Sequence, residues 1–175
     1  DDHEAFRASV RTFVDKEIAP HVDEWSAAGI TPRELFTTAG KQGLLGIDVP
    51  EEYGGGGVPD FRFNAVLGEE LLRTPDAGAG LGIALHNDIS VPYFLSYCTE
   101  EQKQRWLPGI TSGELVTAIG MTEPGIGSDL ASMTTTAIRD GDHYVVNGAK
   151  TFITNGIHAD LVITAVKTDP RYRHR

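Results

Sequence analysis

A glycine-containing loop in the second half of the chain is the first candidate for a ligand site. Gly125 and Gly127 would let backbone amides approach a bound molecule, and the hydroxyls of Thr122 and Ser128 flank them. The loop lacks the third glycine of the dinucleotide fingerprint and opens no convincing helix. The glycines at 54–57 lack the Lys and Ser/Thr of a phosphate-binding loop. The sequence therefore predicts neither a Rossmann nor a Walker site, and the loop alone does not identify a ligand.

Metal binding and nucleophilic hydrolysis find no support in the sequence. The six histidines, at positions 3, 21, 86, 143, 158 and 174, include no pair at the i, i+3 or i, i+4 spacing of a helical metal site. The single cysteine, Cys98, shows no local sign of activation and is interpreted as a buried thiol. The sequence has no Gly-x-Ser-x-Gly elbow. The net charge of −10 argues against nucleic-acid binding, which needs a basic patch.

The elements that position the loop begin with predicted helices. A first helix carries an apolar face and should end at Pro20; the face consists of Phe6, Val10, Phe13, Val14 and Ile18. A second helix should begin with Thr31 as its cap and stop at Gly43; its apolar residues are Leu35, Phe36 and Ala39. Residues 51–57 are predicted to form a loop, because each glycine inside a helix costs about 1 kcal/mol relative to alanine.

Three further helical segments are predicted before residue 113. Asp60 should cap the first, whose apolar residues are Phe63, Val66, Leu67 and Leu71, and a break should follow at residues 74–76. Residues 77–85 contain only small or aliphatic side chains and are interpreted as a core helix. Thr99 and Gln102 form a capping box that opens a short helix, which Pro108 should end.

After Gly113 the pattern changes to that of strands. Residues 115–121, 134–138 and 161–166 are rich in β-branched and apolar side chains. The pair Asn147-Gly148 lies between two apolar runs and is typical of a two-residue hairpin. Helices followed by strands predict an α+β fold, with an all-α domain at residues 1–113 and a partial β-barrel or sheet domain at residues 114–175. Eighteen of the 25 acidic residues precede residue 114, so the charge follows the same division.

Two longer segments carry a family resemblance. Residues 121–129 (MTEPGIGSD), followed by residues 144–156 (YVVNGAKTFITNG), resemble the flavin-binding signature of the acyl-CoA dehydrogenases. The resemblance continues upstream in residues 50–55 (PEEYGG), 99–103 (TEEQK) and 107–110 (LPGI). It covers nearly the whole chain, in the order in which the family has these segments.

The resemblance implies that this chain holds part of an FAD site. In the family FAD lies between a helical N-terminal domain, a central β domain and a C-terminal helical domain. The residues implied to contact or approach the cofactor are Ile119, Met121, Thr122, Gly127, Ser128, Phe152, Ile153 and Thr154. Ser128 is also implied to bind the acyl-CoA substrate, and residues 152–154 are implied to lie on the ring face opposite to it.

The residue types at these positions suit a flavin, although each also has an ordinary structural interpretation. Phe152, where many relatives have tryptophan, offers an aromatic face, and the Thr154 hydroxyl can form a hydrogen bond near flavin N5. Taken singly, the threonines could be strand residues and Phe152 a core aromatic. Taken together, at this spacing and in this order, they favour flavin binding. Glu123 and Asp129 are interpreted as structural.

The resemblance also implies a reaction, the α,β-dehydrogenation of an acyl-CoA thioester to the trans-2-enoyl-CoA. In the family a glutamate removes the α proton while the β hydrogen leaves as hydride to the flavin. That glutamate belongs to the family's C-terminal four-helix domain, so we expect the catalytic base beyond Arg175 and the chain to be a fragment without that domain. Glu69, Glu70 and Glu114 are interpreted as solvated carboxylates on helix faces or turns.

The resemblance leaves three possibilities for the function. The electrons could pass to an electron-transfer flavoprotein or a similar acceptor, or to oxygen in an acyl-CoA oxidase; alternatively the protein could be a non-catalytic flavin- or CoA-binding subunit. The family implies a homo-oligomer, a tetramer or a dimer. No run approaches the ~18 apolar residues of a membrane span. The expected location is the cytoplasm if the protein is bacterial and the mitochondrial matrix if it is eukaryotic, not the exterior.

Overall fold

The structure is a computed structural model and describes residues 1–75 and 77–169. Helices occupy the described chain up to residue 112, and four strands follow. The helices are α1 (Asp2–Phe13), α2 (Val22–Ala28), α3 (Glu34–Lys41), α4 (Arg62–Leu71), α5 (Ala77–Ala84), α6 (Val91–Tyr97) and α7 (Glu100–Ser112). The strands are β1 (Thr117–Gly120), β2 (Thr136–Asp140), β3 (His143–Asn147) and β4 (Leu161–Thr164). The predicted α+β fold class is therefore confirmed. Asp76, within the predicted break at 74–76, and residues 170–175, within the predicted β domain, lie outside the described residues.

The N-terminal helical segment continues past Pro20, so the prediction that this proline ends it is wrong. The α-helix gives way to a π-helical turn at Val14–Ile18 and a 3-10 turn at Ala19–His21, after which α2 runs to a left-handed Gly29. Pro20 lies in the first turn of the 3-10 segment, where a missing N–H breaks no helical hydrogen bond. The predicted apolar face is buried in the helical core except for Phe6, which packs against it.

Three other predicted helix boundaries need correction. Phe61, not Asp60, holds the N-cap position of α4. Thr31 does not cap α3, because Arg33 holds the N-cap position and the Thr31 carbonyl instead contacts His158. Pro108 does not end α7: the helix continues to Ser112 and ends at Gly113, which has a left-handed φ of 78°. Leu107 and Ile110, on either side of the proline, are fully buried, and this burial favours the uninterrupted helix. The capping box of Thr99 and Gln102 is confirmed.

The acidic side chain of Glu70 is buried, which corrects its interpretation as a solvated carboxylate. It accepts hydrogen bonds from Arg11 (Nη2 at 2.9 Å) and Arg7 (Nη1 at 3.1 Å), both on α1. Arg73 Nη1 lies 3.3 Å from Oε2 of the same carboxylate. Hydrogen bonding to Arg11, together with Arg7 and Arg73, lowers the pKa of Glu70 to about 2. This ionised carboxylate therefore joins α4 to α1.

The described strands form two separate two-stranded sheets and no closed barrel. β1 pairs in parallel with β4, from Thr117 opposite Leu161 to Gly120 opposite Thr164. β2 pairs with β3 in an antiparallel hairpin whose turn contains Gly141. All four residues of β1 are buried, whereas every residue of β3 is exposed. The predicted domain boundary at residue 113 lies between the end of α7 and the start of β1. The division into two domains stays a prediction.

The hairpin predicted at Asn147-Gly148 is absent from the described residues. A strand does not follow Gly148; instead, the Thr151 N–H donates to the Thr122 carbonyl at 3.0 Å. A Cβ at Gly148 would lie 2.3 Å from the Thr135 hydroxyl oxygen. The glycine therefore allows a close approach to Thr135, just before β2, rather than a tight turn. None of the described helices has the length and apolar character that a membrane span requires.

A buried histidine joins the helices to the first strand. His86, in a π-helical turn at Leu85–Ser90, is fully buried. Its Nδ1 accepts a hydrogen bond from the Thr117 hydroxyl at 2.9 Å, and its Nε2 lies 2.9 Å from the Ile110 carbonyl. These partners require the neutral ring with the proton on Nε2. Burial lowers the pKa of His86 to about 4.

This histidine should make folding stability depend on pH. The unfolded ring takes up a proton near its ordinary pKa of 6.5, whereas the folded ring resists protonation down to about 4. The His86 contribution is therefore fully present above pH 6.5 and is lost as the pH falls towards 4, by up to about 3 kcal/mol. Urea unfolding of the wild type and of His86→Gln, at pH values between 6.5 and 4, measures this contribution. The advantage of the wild type should shrink as the pH falls; a constant difference between the two proteins would contradict this account.

Candidate functional site

The two sequence segments with candidate site residues meet at the end of β1. Ile119 is buried within β1. Met121 and Thr122 are the first two residues after this strand, and both are half-buried. The Thr122 carbonyl accepts the hydrogen bond from the Thr151 N–H described above. Residues 152–154 therefore begin next to the residues that leave β1. The structure brings Thr122 into contact with Thr151, the residue that directly precedes the predicted site residues 152–154.

The buried carboxylate of Glu123 holds this meeting point together. It accepts hydrogen bonds from the Thr134 N–H at 2.6 Å, the Thr134 hydroxyl at 2.7 Å and the Thr135 N–H at 2.9 Å. The ammonium of Lys150 lies 2.9 Å from the same carboxylate and donates to the Met121 carbonyl at 3.0 Å. Hydrogen bonds from Thr135, Thr134 and Lys150 hold the pKa of Glu123 well below its usual range. The carboxylate stays ionised and ties three chain segments together.

Residues 152–155 form an irregular loop with unusual backbone angles. Phe152 and Asn155 have left-handed φ values of 54° and 64°, which side chains other than glycine seldom adopt. The Phe152 side chain is 91% exposed, whereas Ile153 and Thr154 are half-buried. The structure therefore presents an aromatic side chain outward from a constrained loop. Such backbone persists only where surrounding contacts determine it.

The glycine loop after Glu123 is open on its outer side. Glu123 and Ile126 exchange backbone hydrogen bonds of 3.1 Å, which close the turn through Gly125. Gly127 and Ser128 lie on the exposed part of the loop and do not share the contact between residues 122 and 151. A Cβ at Gly125 or Gly127 would meet no atom within 4 Å. Neither glycine has a left-handed φ, so nothing within the described chain requires glycine at these two positions.

Asp129 forms a local contact beside this loop. Its carboxylate accepts a hydrogen bond from the Ser132 hydroxyl at 2.6 Å, across a short 3-10 turn at Leu130–Ser132. The carboxylate thus stabilises the turn that returns the chain towards β2.

A pocket of about 300 Å³ lies on the helical side of residues 153–158. Its walls come from the end of α2, from α3 and α5, and from the loop that follows Phe152. The lining residues are Trp25, Ser26, Gly29, Ile30, Thr31, Phe36, Gly78, Ala79, Gly82, Ile153, Thr154, Asn155, Gly156, Ile157 and His158. Ile153 and Thr154 thus belong both to the predicted site and to this pocket.

Side chains that the sequence prediction did not select attach the loop to the helices. Asn155 Nδ2 donates to the Gly82 carbonyl at 3.0 Å and to the Thr117 carbonyl at 3.1 Å. His158 Nε2 lies 2.8 Å from the Thr31 carbonyl, and the Arg33 guanidinium donates to the His158 carbonyl. Asn155 lies inside the quoted signature, but no local pattern indicates its distant partners. Arg33 and His158 carry no sequence signal for this role.

Two family models match successive parts of the chain. The family model for the acyl-CoA dehydrogenase N-terminal domain matches residues 1–114, and the model for the middle domain matches residues 118–175. The chain belongs to the acyl-CoA dehydrogenase family. The two matched segments cover the helices and the strands respectively.

Individual members of the acyl-CoA dehydrogenase family agree with this assignment. The mitochondrial long-chain specific acyl-CoA dehydrogenase of Mus musculus is 45% identical over 172 residues, which are 98% of this chain and 39% of that protein. A crystal structure of an acyl-CoA dehydrogenase from Geobacillus kaustophilus has a TM-score of 0.93 at 53% identity, covering 99% of this chain and 45% of that one. A glutaryl-CoA dehydrogenase from Mycobacterium smegmatis in complex with FADH2 has a TM-score of 0.85 at 33% identity, covering 97% of this chain and 43% of that one. The chain spans less than half the length of these relatives.

The ion pair of Glu123 and Lys150 should be a major stabilising feature of this acyl-CoA dehydrogenase chain. Glu123→Gln would leave the buried Lys150 ammonium without its counter-charge and turn amide hydrogens towards backbone donors, so the melting temperature should fall by several degrees. Lys150→Met should restore part of the loss in the double variant, as a double-mutant cycle by thermal unfolding would show.

A matched control for this cycle is the exposed pair of Arg62 and Asp60. The Arg62 side chain is 76% exposed, and Arg62→Met should leave the melting temperature nearly unchanged. If Lys150→Met and Arg62→Met changed the melting temperature equally, and the cycle showed no coupling between Glu123 and Lys150, the assigned role of the buried pair would be refuted.

Proposed function

We propose that the protein that carries this chain binds FAD and oxidises an acyl-CoA thioester to the trans-2-enoyl-CoA. Membership of the acyl-CoA dehydrogenase family is the single observation that carries the proposal. A relative that was solved in complex with FADH2 supports the choice of cofactor. Electron transfer to an external flavoprotein, and assembly as a homo-oligomer, are parts of the same proposal.

The residues present in the chain fit a large planar cofactor. An aromatic side chain that is 91% exposed, Phe152, stands on a constrained loop beside the end of β1. Gly125 and Gly127 leave open space where a Cβ would meet no protein atom. Exposed aromatic surface and glycines without an internal packing role both suit close approach by a flat aromatic ligand. This combination supports FAD binding at this edge of the chain.

The proposed roles are those that the family resemblance implies, applied to the positions of these residues in the fold. Ile119, Met121 and Thr122 would line one edge of the ring, since they lead out of β1 towards the loop. Phe152 would cover a ring face and exclude water, Ile153 would support it from the pocket side, and the Thr154 hydroxyl would donate a hydrogen bond to the ring. Gly127 and Ser128 would approach the cofactor or the acyl-CoA from the open loop, with Ser128 also contacting substrate.

Bound FAD would supply a two-electron acceptor beside the acyl chain. The proposed contribution of this chain is to bind and orient that acceptor and to keep water from one of its faces. The carboxylate that removes the α proton is proposed to lie beyond Arg175, in the part of the protein that corresponds to the family's C-terminal domain. This chain would therefore provide binding surface rather than the proton-transfer group.

Cofactor content and electron acceptor test the proposed function directly. The full-length protein should purify with visible flavin absorbance, or acquire it when FAD is added, and should oxidise acyl-CoA with an artificial electron acceptor. Hydrogen peroxide formed under air without an acceptor would instead indicate an oxidase. A protein that never acquires flavin would refute the proposal, and one that binds flavin without turnover would indicate a binding subunit.

The role of Phe152 can be tested separately by substitution. Phe152→Ala removes the aromatic cover and should weaken FAD binding about tenfold, because an aromatic contact of this size contributes about 1 kcal/mol or more. Fluorescence titration of apoprotein with FAD measures the change. Phe61→Ala is the matched control, since Phe61 is 67% exposed on the helical region and is not among the proposed site residues. Equal affinities of the two variants would contradict the proposed stacking.

A further inference from the structure

The carboxamide of Asn155 joins three parts of the fold at the edge of the candidate site. Its nitrogen donates both hydrogens, one to the Gly82 carbonyl on α5 and one to the Thr117 carbonyl on β1. The side chain thus bridges a helix and a strand from a third segment, the loop after Phe152. Thr154, the residue proposed to donate to the flavin, directly precedes it.

The backbone around Asn155 has an uncommon conformation, which a side-chain contact of this kind can help to hold. Phe152 and Asn155 both have left-handed φ values, and Ile153 and Thr154 lie between them. Asparagine tolerates this conformation better than most residues. A loop with two such residues needs fixed neighbours to hold one geometry. Among the contacts described for this loop, those of the Asn155 side chain lie next to Thr154, whereas His158 and Arg33 secure its far end.

The helix opposite Asn155 is shaped to receive its side chain. A Cβ built on Gly82 would lie 2.8 Å from Asn155 Oδ1 and 3.5 Å from Phe36 Cζ. Gly82 has no left-handed φ that would require glycine. The close approach of the carboxamide therefore accounts for glycine at this helical position, where alanine would otherwise favour the helix.

We propose that Asn155 is a positioning residue for the cofactor: by bridging Gly82 and Thr117, it holds Phe152 and Thr154 in the geometry that binds FAD. The inference rests on the proposed function, since it names the residue that orders the same site. Asn155 acts through its neighbours, so it changes the affinity and the electronic environment of the flavin without contacting the reacting atoms. Gly82 belongs to the same device, because it provides the space for the carboxamide.

Substitutions at position 155 separate the backbone effect from the hydrogen bonds. Asn155→Gly removes the carboxamide but still allows the left-handed conformation. Asn155→Ala removes the carboxamide and also disfavours that conformation. Asn155→Asp keeps the shape but turns an acceptor towards two carbonyl oxygens. Loss of two hydrogen bonds should weaken FAD binding by the full-length protein about tenfold in Asn155→Gly, and at least as much in the other two variants. The absorption spectrum of the bound flavin should shift in all three.

Gly82→Ala tests the contact with the Asn155 carboxamide from the side of α5. The added methyl group should displace the carboxamide and weaken FAD binding, although alanine favours the helix. Gly68→Ala is the matched control: Gly68 lies on α4, its Cβ would meet no atom within 4 Å, and this variant should retain wild-type affinity and spectrum. Thermal unfolding of each apoprotein shows whether a variant has folded.

The outcomes of this experiment distinguish the two proposals. Weakened binding and a shifted flavin spectrum in Asn155→Gly and Gly82→Ala, with Gly68→Ala unchanged, support the positioning role. Wild-type affinity and spectrum in folded Asn155→Gly overturn it and leave the proposed function standing. If the wild-type protein binds no FAD, the proposed function fails and this inference fails with it.

Discussion

Strand β1 is buried along its whole length, and the need to pair its backbone polar groups determines how the rest of the chain is arranged. One edge is satisfied by β4 in parallel register. At its first residue, Thr117, the N–H and hydroxyl lie against His86 from the helices, and the carbonyl accepts from Asn155 in the loop. A single strand therefore connects the helical region, the parallel pair and the candidate site through hydrogen bonds.

The site is consequently built from segments that are distant in sequence and share buried polar partners. Glu123, just beyond β1, gathers donors from Thr134, Thr135 and Lys150, so that residues following β1 and residues preceding Phe152 have fixed relative positions. An ionised carboxylate with this number of donors is favourable only when all of them are in place. The loop surface can thus remain exposed for a ligand while its base is rigid.

Local sequence patterns predicted the elements better than their ends. Apolar periodicity identified the buried face of α1, and the capping box at Thr99 was confirmed, because both signals act within one or two turns. Pro20 and Pro108 were wrongly predicted to end helices: a 3-10 turn accommodates Pro20, and buried neighbours favour the helix through Pro108. The hairpin expected at Asn147-Gly148 is absent for a different reason: the glycine allows a close approach to Thr135, a contact that the local pattern cannot contain. Glu70 was likewise assigned to solvent because two of its arginine partners, Arg7 and Arg11, lie about sixty residues away.

The candidate site shows the same limit in a sharper form. Resemblance selects Phe152 and Thr154 by residue type, but their placement depends on Asn155, whose partners Gly82 and Thr117 are separated from it by 73 and 38 positions. From the sequence alone, Gly82 in the aliphatic helix α5 is interpreted as a packing residue. The structure shows that the Asn155 carboxamide lies against it. The signature therefore depends on residues outside it: a helix glycine and a strand carbonyl hold the Asn155 side chain, and Asn155 helps to fix the loop that presents the exposed Phe152.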